Sequence, residues 1–231
     1  DLAEITVTTD MPVADVTGFG SAAKSFVSGQ YSWTADVRGW FNNRAGTAGA
    51  EVALQTMAGG TAGTSVAATQ KLWGFFTEGT AVGSYGYAGP AALTSYGRTI
   101  PIGAAVGVTA RVQGTAPLGR AYVLTAGVQS ANATSSVWNN SAESTNGGCG
   151  YMWITGGVLG TVGTVTIQSS SDNITYTDLC ALGTTTAATG GTAKFIFVDP
   201  SSTVNQYLRT VIGGGTSASF NCSIVTAFAR F

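Results

Sequence analysis

The feature that most restricts what this chain can fold into is a repeated run of alternating β-branched and small residues, broken every few positions by glycine. Strict alternation puts successive side chains on opposite faces, which is the signature of a half-buried strand rather than a helix. Ile5-Thr6-Val7-Thr8 alternates. Ser32 to Phe41 alternates over a longer stretch, with Trp33, Ala35 and Val37 on one face. Leu72 to Phe76 is a short apolar run. Val106 to Gln113 is a clean strand with Val106, Val108, Ala110 and Val112 expected inward. Gly163 to Gln168 follows the same rule and ends in the turn signal Ser171-Asp172-Asn173. Further strands are expected at Ile174–Thr177 and at Lys194–Val198, the latter stopped by Asp199-Pro200. Tyr207–Ile212 and Ser219–Phe228 read as a final pair joined by a hairpin at Gly213-Gly214-Gly215. One segment has helical spacing: Ala50, Leu54 and Met57 share a face, Thr47 can cap it and Gly59-Gly60 ends it. The expected fold class is therefore mostly β, antiparallel, with one short helix.

Composition narrows the chemistry. The 231 residues include no histidine, so Ser-His-Asp and Cys-His catalytic units, imidazole metal ligands and imidazole pH switches are all excluded. Charged residues make up 9% of the chain, against about 25% in a typical soluble domain. A net charge of −1 gives no basic field for nucleic acid or anionic lipid. A hydrophobic content of 44% is ample for a core, which argues against disorder. The surface must then be Ser, Thr, Asn, Gly and Ala, or be covered by other subunits. No apolar run reaches the roughly 18 residues that a membrane span needs, so no membrane association is expected. The chain opens at Asp1 with neither Met nor signal sequence, which reads as a processed start or an internal starting point.

The length suits two domains of ordinary size. Pro117-Leu118-Gly119-Arg120 closes the first strand series and is the expected junction, giving residues 1–118 and 119–231. The polar stretch Asn139 to Gly148 reads as an exposed loop or as the linker itself. The first part holds six basic and seven acidic residues and the second four of each, so neither is electrostatically distinctive.

The candidate constellations favour structural readings. Cys149, Cys180 and Cys222 match no zinc spacing, and an odd number leaves at least one unpaired; Cys222 sits in a strand pattern and reads as a small buried apolar residue. Sequons at Asn132, Asn139, Asn173 and Asn221 are expected by chance in so Ser/Thr-rich a chain. Asp10, Asp15 and Asp36 read as loop or surface carboxylates rather than an acid/base pair. Asp172, Asn173 and Asp178 lack calcium-loop spacing and read as a turn. Gly83 to Gly89 and Gly213 to Gly215 do not open helices and lack a following Lys-Ser/Thr, so they read as hairpin loops, not phosphate cradles. Tyr31, Trp33, Trp40 and Phe41 have no Lys/Arg cluster beside them, which favours core or subunit contact over base stacking, with a sugar platform, also considered for Trp138 and Trp153, as the lesser reading. No catalytic residue, cofactor or metal is expected, and the chain is not expected to be an enzyme. Low charge favours an oligomer, because a monomer with so little charge risks self-association.

One stretch carries a family resemblance. Asp15-Val16-Thr17-Gly18-Phe19-Gly20-Ser21-Ala22-Ala23-Lys24-Ser25-Phe26-Val27-Ser28-Gly29 resembles the T-G-F-G-x-A-x-K-x-F-x-x-G signature of major tail (tail tube) proteins of long non-contractile-tailed phages. The strand Trp33–Val37, the step Gly39-Trp40-Phe41-Asn42, the stretch Glu51–Met57, and the strands near Ala92–Tyr96 and Val106–Gly114 extend the likeness over about residues 5 to 120. Residues 163 to 231 resemble a β-sandwich appended to phage structural proteins. The resemblance implies a tail-tube-like β-barrel or sandwich followed by a second antiparallel β-sandwich. It implies a virion structural subunit, assembled in the host cytoplasm into homohexameric rings stacked around a channel through which DNA passes without sequence-specific contact. The partners implied are other copies and other tail or virion proteins. Phe19, Lys24, Phe26, Trp40 and Phe41 are the implied subunit contacts, and Asp10–Gly29 with Gly59–Lys71 the implied contacts between rings. A channel for DNA is generally expected to be acidic, and this chain has few acids for one. The competing expectations are a capsid decoration or fibre protein and a host-receptor or carbohydrate-binding module.

Overall fold

The computed structural model describes residues 2–17, 23–40, 71–100, 106–129, 132–159, 164–182, 188–189, 192–213 and 221–231. Every regular element among them is a β-strand and every ladder is antiparallel. The expected short helix at Ala50–Met57 lies outside the described residues. The chain forms two units, one from Asp1–Lys71 with Gly89–Leu118, the other from Leu72–Ala88 with Gly119–Phe231.

The first unit is built on a sheet of β1 (Leu2–Asp10), β4 (Ser32–Trp40), β7 (Gly107–Gly114) and the later part of β6 (Tyr85–Thr99), paired in that order. Alternation sets its faces as expected. Trp33, Ala35 and Val37 on β4 and Val108, Ala110 and Val112 on β7 are all buried, while Asp36 and Arg111 lie on the other face. Trp33, 1% exposed, anchors this core. Its indole N–H donates to the carbonyl of Ala116 at 2.7 Å, and Gln113 Nε2 donates to the Trp33 carbonyl at 3.0 Å. The indole fits because Gly114 beside it has no side chain; a Cβ there would overlap the ring. A separate two-stranded ribbon pairs β2 (Val13–Asp15) with β3 (Phe26–Ser28).

The second unit is a sandwich of two antiparallel sheets. The larger runs from β5 (Lys71–Phe75) through the start of β6, β8 (Gly119–Gln129), β17 (Asn221–Arg230) and β11 (Gly148–Leu159) to β14 (Ala188–Thr189) and β15 (Thr192–Val198), which pair successive stretches of β11. The smaller orders β16 (Tyr207–Gly213), β12 (Thr164–Ser170) and β13 (Thr177–Ala181), with β9 (Ala133–Thr134) and β10 (Trp138–Asn139) on the far side of β16. Leu124, Met152, Ile154, Ile167, Leu208, Ile224 and Phe228 fill the space between.

Three strand-level expectations change. The last two strands are not a hairpin pair: β16 pairs β12 in one sheet and β17 pairs β8 and β11 in the other. Each puts apolar residues toward the same core from opposite sides, so facing each other buries more than pairing edge to edge. Across that core the buried hydroxyls of Thr210 and Thr226 share a hydrogen bond, 2.6 Å apart. Second, Gly86 and Gly89 are strand residues of β6, not loop residues. A Cβ on Gly86 would overlap the Phe75 carbonyl, so glycine lets β5 approach closely. Third, Ile174 is exposed, and β13 starts only at Thr177. Asp172 accepts the backbone N–H groups of Ile174 and Thr175, both at 2.8 Å, and so holds that stretch in a turn.

The polar stretch near Asn139–Gly148 is not a linker but belongs to the sandwich. Ser144 bridges Val204, and Arg230 donates from Nη1 to the Ala142 carbonyl at 2.5 Å and from Nη2 to that of Val204 at 3.2 Å.

Two stability predictions follow from these contacts. Gly114→Ala is expected to destabilise the first unit by about 2 kcal/mol or more, since the methyl must displace a buried indole; a lowered urea midpoint read on the fluorescence of the chain checks it. Thr210→Val or Thr226→Val alone is expected to cost about 1–3 kcal/mol by orphaning the partner hydroxyl, and the double variant to recover most of the loss. Chemical denaturation of all three variants closes that cycle.

Candidate assembly surface

The β2–β3 ribbon pairs only with itself among the described residues. It is held at its base by Gly29 N donating to the Pro12 carbonyl and farther along by Val16 N donating to the Ser25 carbonyl at 2.9 Å. Asp15 organises that farther end: its carboxylate accepts both the N–H and the hydroxyl of Thr17, and the Thr17 Oγ1 accepts Ser25 N at 2.9 Å. The two Thr17 hydrogen bonds hold the Asp15 carboxyl below its usual pKa. Every residue of the two strands is exposed. Met11, Val13, Val16, Phe26 and Val27 are all more than half exposed, with Val13 at 65% and Phe26 at 56%. A two-stranded ribbon is marginal in water without a hydrophobic face to lean on, and here the apolar side chains themselves face water.

Of the five residues implied as subunit contacts, Phe19 and Phe41 lie outside the described residues. Lys24 is exposed and precedes β3, so it shares the ribbon with Phe26. Trp40 is 57% exposed at the end of β4, on the sheet rather than on the ribbon. The implied inter-ring segment Asp10–Gly29 spans the whole ribbon, while the residues named singly lie in its second half. The apolar residues of its first half, Met11, Val13 and Val16, were not singled out, although a run of apolar residues without polar alternation flanking a Pro is the signal that could have found them.

Elsewhere the candidate groups are occupied by structure. Asp36 faces Arg111 at 3.7 Å on an exposed surface, a pair that contributes about 1 kcal/mol at most. Asp172 accepts Ser170 Oγ as well as its two backbone donors, which push its pKa down to about 2. Asp178 accepts Gln168 Nε2 at 2.7 Å. Trp153 stacks on Tyr151, meets Phe76 edge-on and donates its indole N–H to the Leu72 carbonyl at 3.2 Å. Trp138 lies flat on Tyr122, with ring centres 4.3 Å apart. Both rings are thus engaged within the sandwich, and neither presents a bare platform. Among the described residues no group of three or more Cys, Asp or Glu is placed to hold a metal ion, and no helix is long and apolar enough to cross a membrane.

No protein-family model matches this chain, and no curated protein sequence does. Among solved structures the chain is similar to the Dit (gp 19.1) protein of SPP1, described as a paradigm of the hub adsorption apparatus in phages infecting Gram-positive hosts. The identity is 6% and the TM-score 0.32, covering 100% of this chain and 93% of that one. It is also similar to a chain of the infectious bursal disease virus Gx strain, at 12% identity and a TM-score of 0.24, covering 97% of this chain but only 55% of that one. At these values neither likeness defines the fold or the role of this chain.

The three cysteines are buried and free. Burial pushes the Cys149 and Cys180 thiols from the ordinary value near 9 up to about 12, and raises Cys222 too. A folded-state pKa above the unfolded one means the stabilising contribution is full below pH 9 and is lost as pH rises toward 12. The native chain is expected to leave all three thiols unlabelled by a thiol reagent at pH 8, with three reacting on unfolding, and its stability to fall above pH 9. Labelling of the native chain at the rate of free cysteine would overturn this.

Proposed function

We propose that this chain is a virion structural protein, a self-assembling subunit of a phage tail tube in which rings of copies stack around a channel for DNA. The observation that carries the reading is the β2–β3 ribbon with its exposed Val13, Val16, Phe26 and Val27. Burying a side chain of this kind contributes about 1.5–3 kcal/mol, so an arm carrying several is stabilised chiefly by what it leans on in another copy. The tail-tube signature resembled by Thr17–Gly29 runs through the same arm. A low charge fraction supports the same reading, because surface shared with other copies has less need of charge to stay soluble. The role requires no catalytic residue, cofactor or metal. It places the protein in the virion tail, beside other tail proteins, with DNA as a passing guest rather than a specific ligand.

Electron microscopy of the purified chain tests this directly. Stacked six-fold rings with a channel wide enough for duplex DNA are expected. Phe26→Asp with Val13→Asp is expected to leave folded chains that no longer stack, shown by an unchanged far-ultraviolet spectrum and a loss of tubes. Three-fold or five-fold placement on a shell, or a chain that stays monomeric, would overturn the proposal.

A further inference from the structure

Several strands among the described residues leave one edge unpaired, β5 and β13 among them, and two such edges carry complementary side chains. One is β1, the last strand of the first unit's sheet; the other is β15, a terminal strand of the larger sheet in the second unit. Each edge offers backbone N–H and C=O groups to another strand, and their side chains decide which strand that can be.

The face of β1 opposite its apolar residues carries Glu4, Thr6, Thr8 and Asp10, while Ile5 and Val7 continue the apolar face that Val37 and Ala35 begin on β4. Pairing β1 with the β1 of another copy is electrostatically poor. In parallel register it sets Glu4 on Glu4 and Asp10 on Asp10; in antiparallel register about Val7 it sets Glu4 on Asp10 twice. Like charges directly opposite are destabilising. β15 offers the complement. It carries Lys194, three residues before Phe197, and Phe197 is 46% exposed. Glu4 and Asp10 flank Val7 at the same three-residue spacing on either side. Opposing Lys194 to an acid of β1 therefore brings Val7 against Phe197 in either strand direction: Glu4 meets Lys194 in parallel pairing, Asp10 in antiparallel. An ion pair and an apolar cross-strand pair are satisfied by one register.

We infer that β1 of one copy adds to β15 of the next, so that copies associate head to tail through unlike edges. This names the partner surface within the assembly reading and rests on it. Two different patches make a heterologous contact, which generates rings or filaments rather than a closed two-fold dimer.

Charge reversal in the full chain tests the pairing. Lys194→Glu makes both edges acidic, and Glu4→Lys with Asp10→Lys makes both basic. Each variant alone is expected to raise the concentration needed for assembly about tenfold, a change of about 1.4 kcal/mol, as read by sedimentation velocity. An equimolar mixture of the two variants, in which every β1–β15 junction again joins opposite charges, is expected to assemble close to the wild-type threshold. Assembly of either variant alone at the wild-type concentration, or a mixture that fails to recover, would overturn the inference, and channelled tubes of that kind would leave the tail-tube reading standing. Charge-dependent, mixture-rescued assembly into fibres without a channel would uphold the β1–β15 contact and overturn the tail-tube reading.

Discussion

The larger sheet of the sandwich is covered on both faces, and much of the chain's composition follows from that. One face of β8, β11 and β17 looks into the core of Met152, Ile154, Ile224 and Phe228. The opposite face carries Ala121, Cys149, Tyr151, Ala227 and Ala229, packed with Ala88 and partly buried Leu72, Phe76, Trp153 and Phe195. Where a strand is buried on both sides, a charge is costly, so the charges of these strands sit at their ends, as Arg120 and Arg230 do. Small residues make room for the large ones: a Cβ on Gly119 would meet the Tyr151 hydroxyl at 2.8 Å, and one on Gly150 would meet Cys180 Sγ at 2.6 Å. The charge fraction of 9% is therefore partly a property of the fold itself, and not solely of surfaces held for partners.

The same constraint explains which parts of the fold were legible in the sequence. Where one face is buried and the other open, alternation reads directly: Trp33, Ala35 and Val37, then Val108, Ala110 and Val112, fell on the inner face as the pattern required. Pairing partners were not legible. Tyr207–Gly213 and Asn221–Arg230 each look like half of a hairpin, and nothing in their alternation shows that both present an inner face to one core from opposite sheets. Nor does local pattern show that Leu72–Ala88 joins the unit formed by the C-terminal half, since that depends on Gly86 admitting β5, a contact between segments. The candidate surface was half legible. Phe26 and Lys24 came from a motif resemblance whose implied contact segment also spans Val13 and Val16, whereas the exposure of those two side chains is a tertiary property that local pattern does not carry.

The few charges present are mostly engaged close to home. Asp36 faces Arg111; Arg209 donates from Nε to Gln168, whose amide donates in turn to Asp178; Asp172 and Asp199 accept backbone N–H groups of their own turns; Arg230 is bound to two carbonyls. This bears on the scarcity of acids for a DNA channel. Nonspecific attraction to a phosphate backbone grows with the number of phosphates that cations neutralise, so its strength depends on cations free to approach DNA. A wall can avoid holding DNA either by carrying excess acids or by leaving few cations unengaged. On the sheet of the first unit, Arg111 lies opposite Asp36 and Arg38 opposite Glu4 in register, while Arg98 lies opposite Val108 and donates to the Tyr96 hydroxyl. Thr6, Thr8 and Thr34 add neutral hydroxyls to that face, and Asp10 an acid at the end of β1. A face patterned this way carries little net field, which suits the proposed tail-tube reading despite the scarcity of acids.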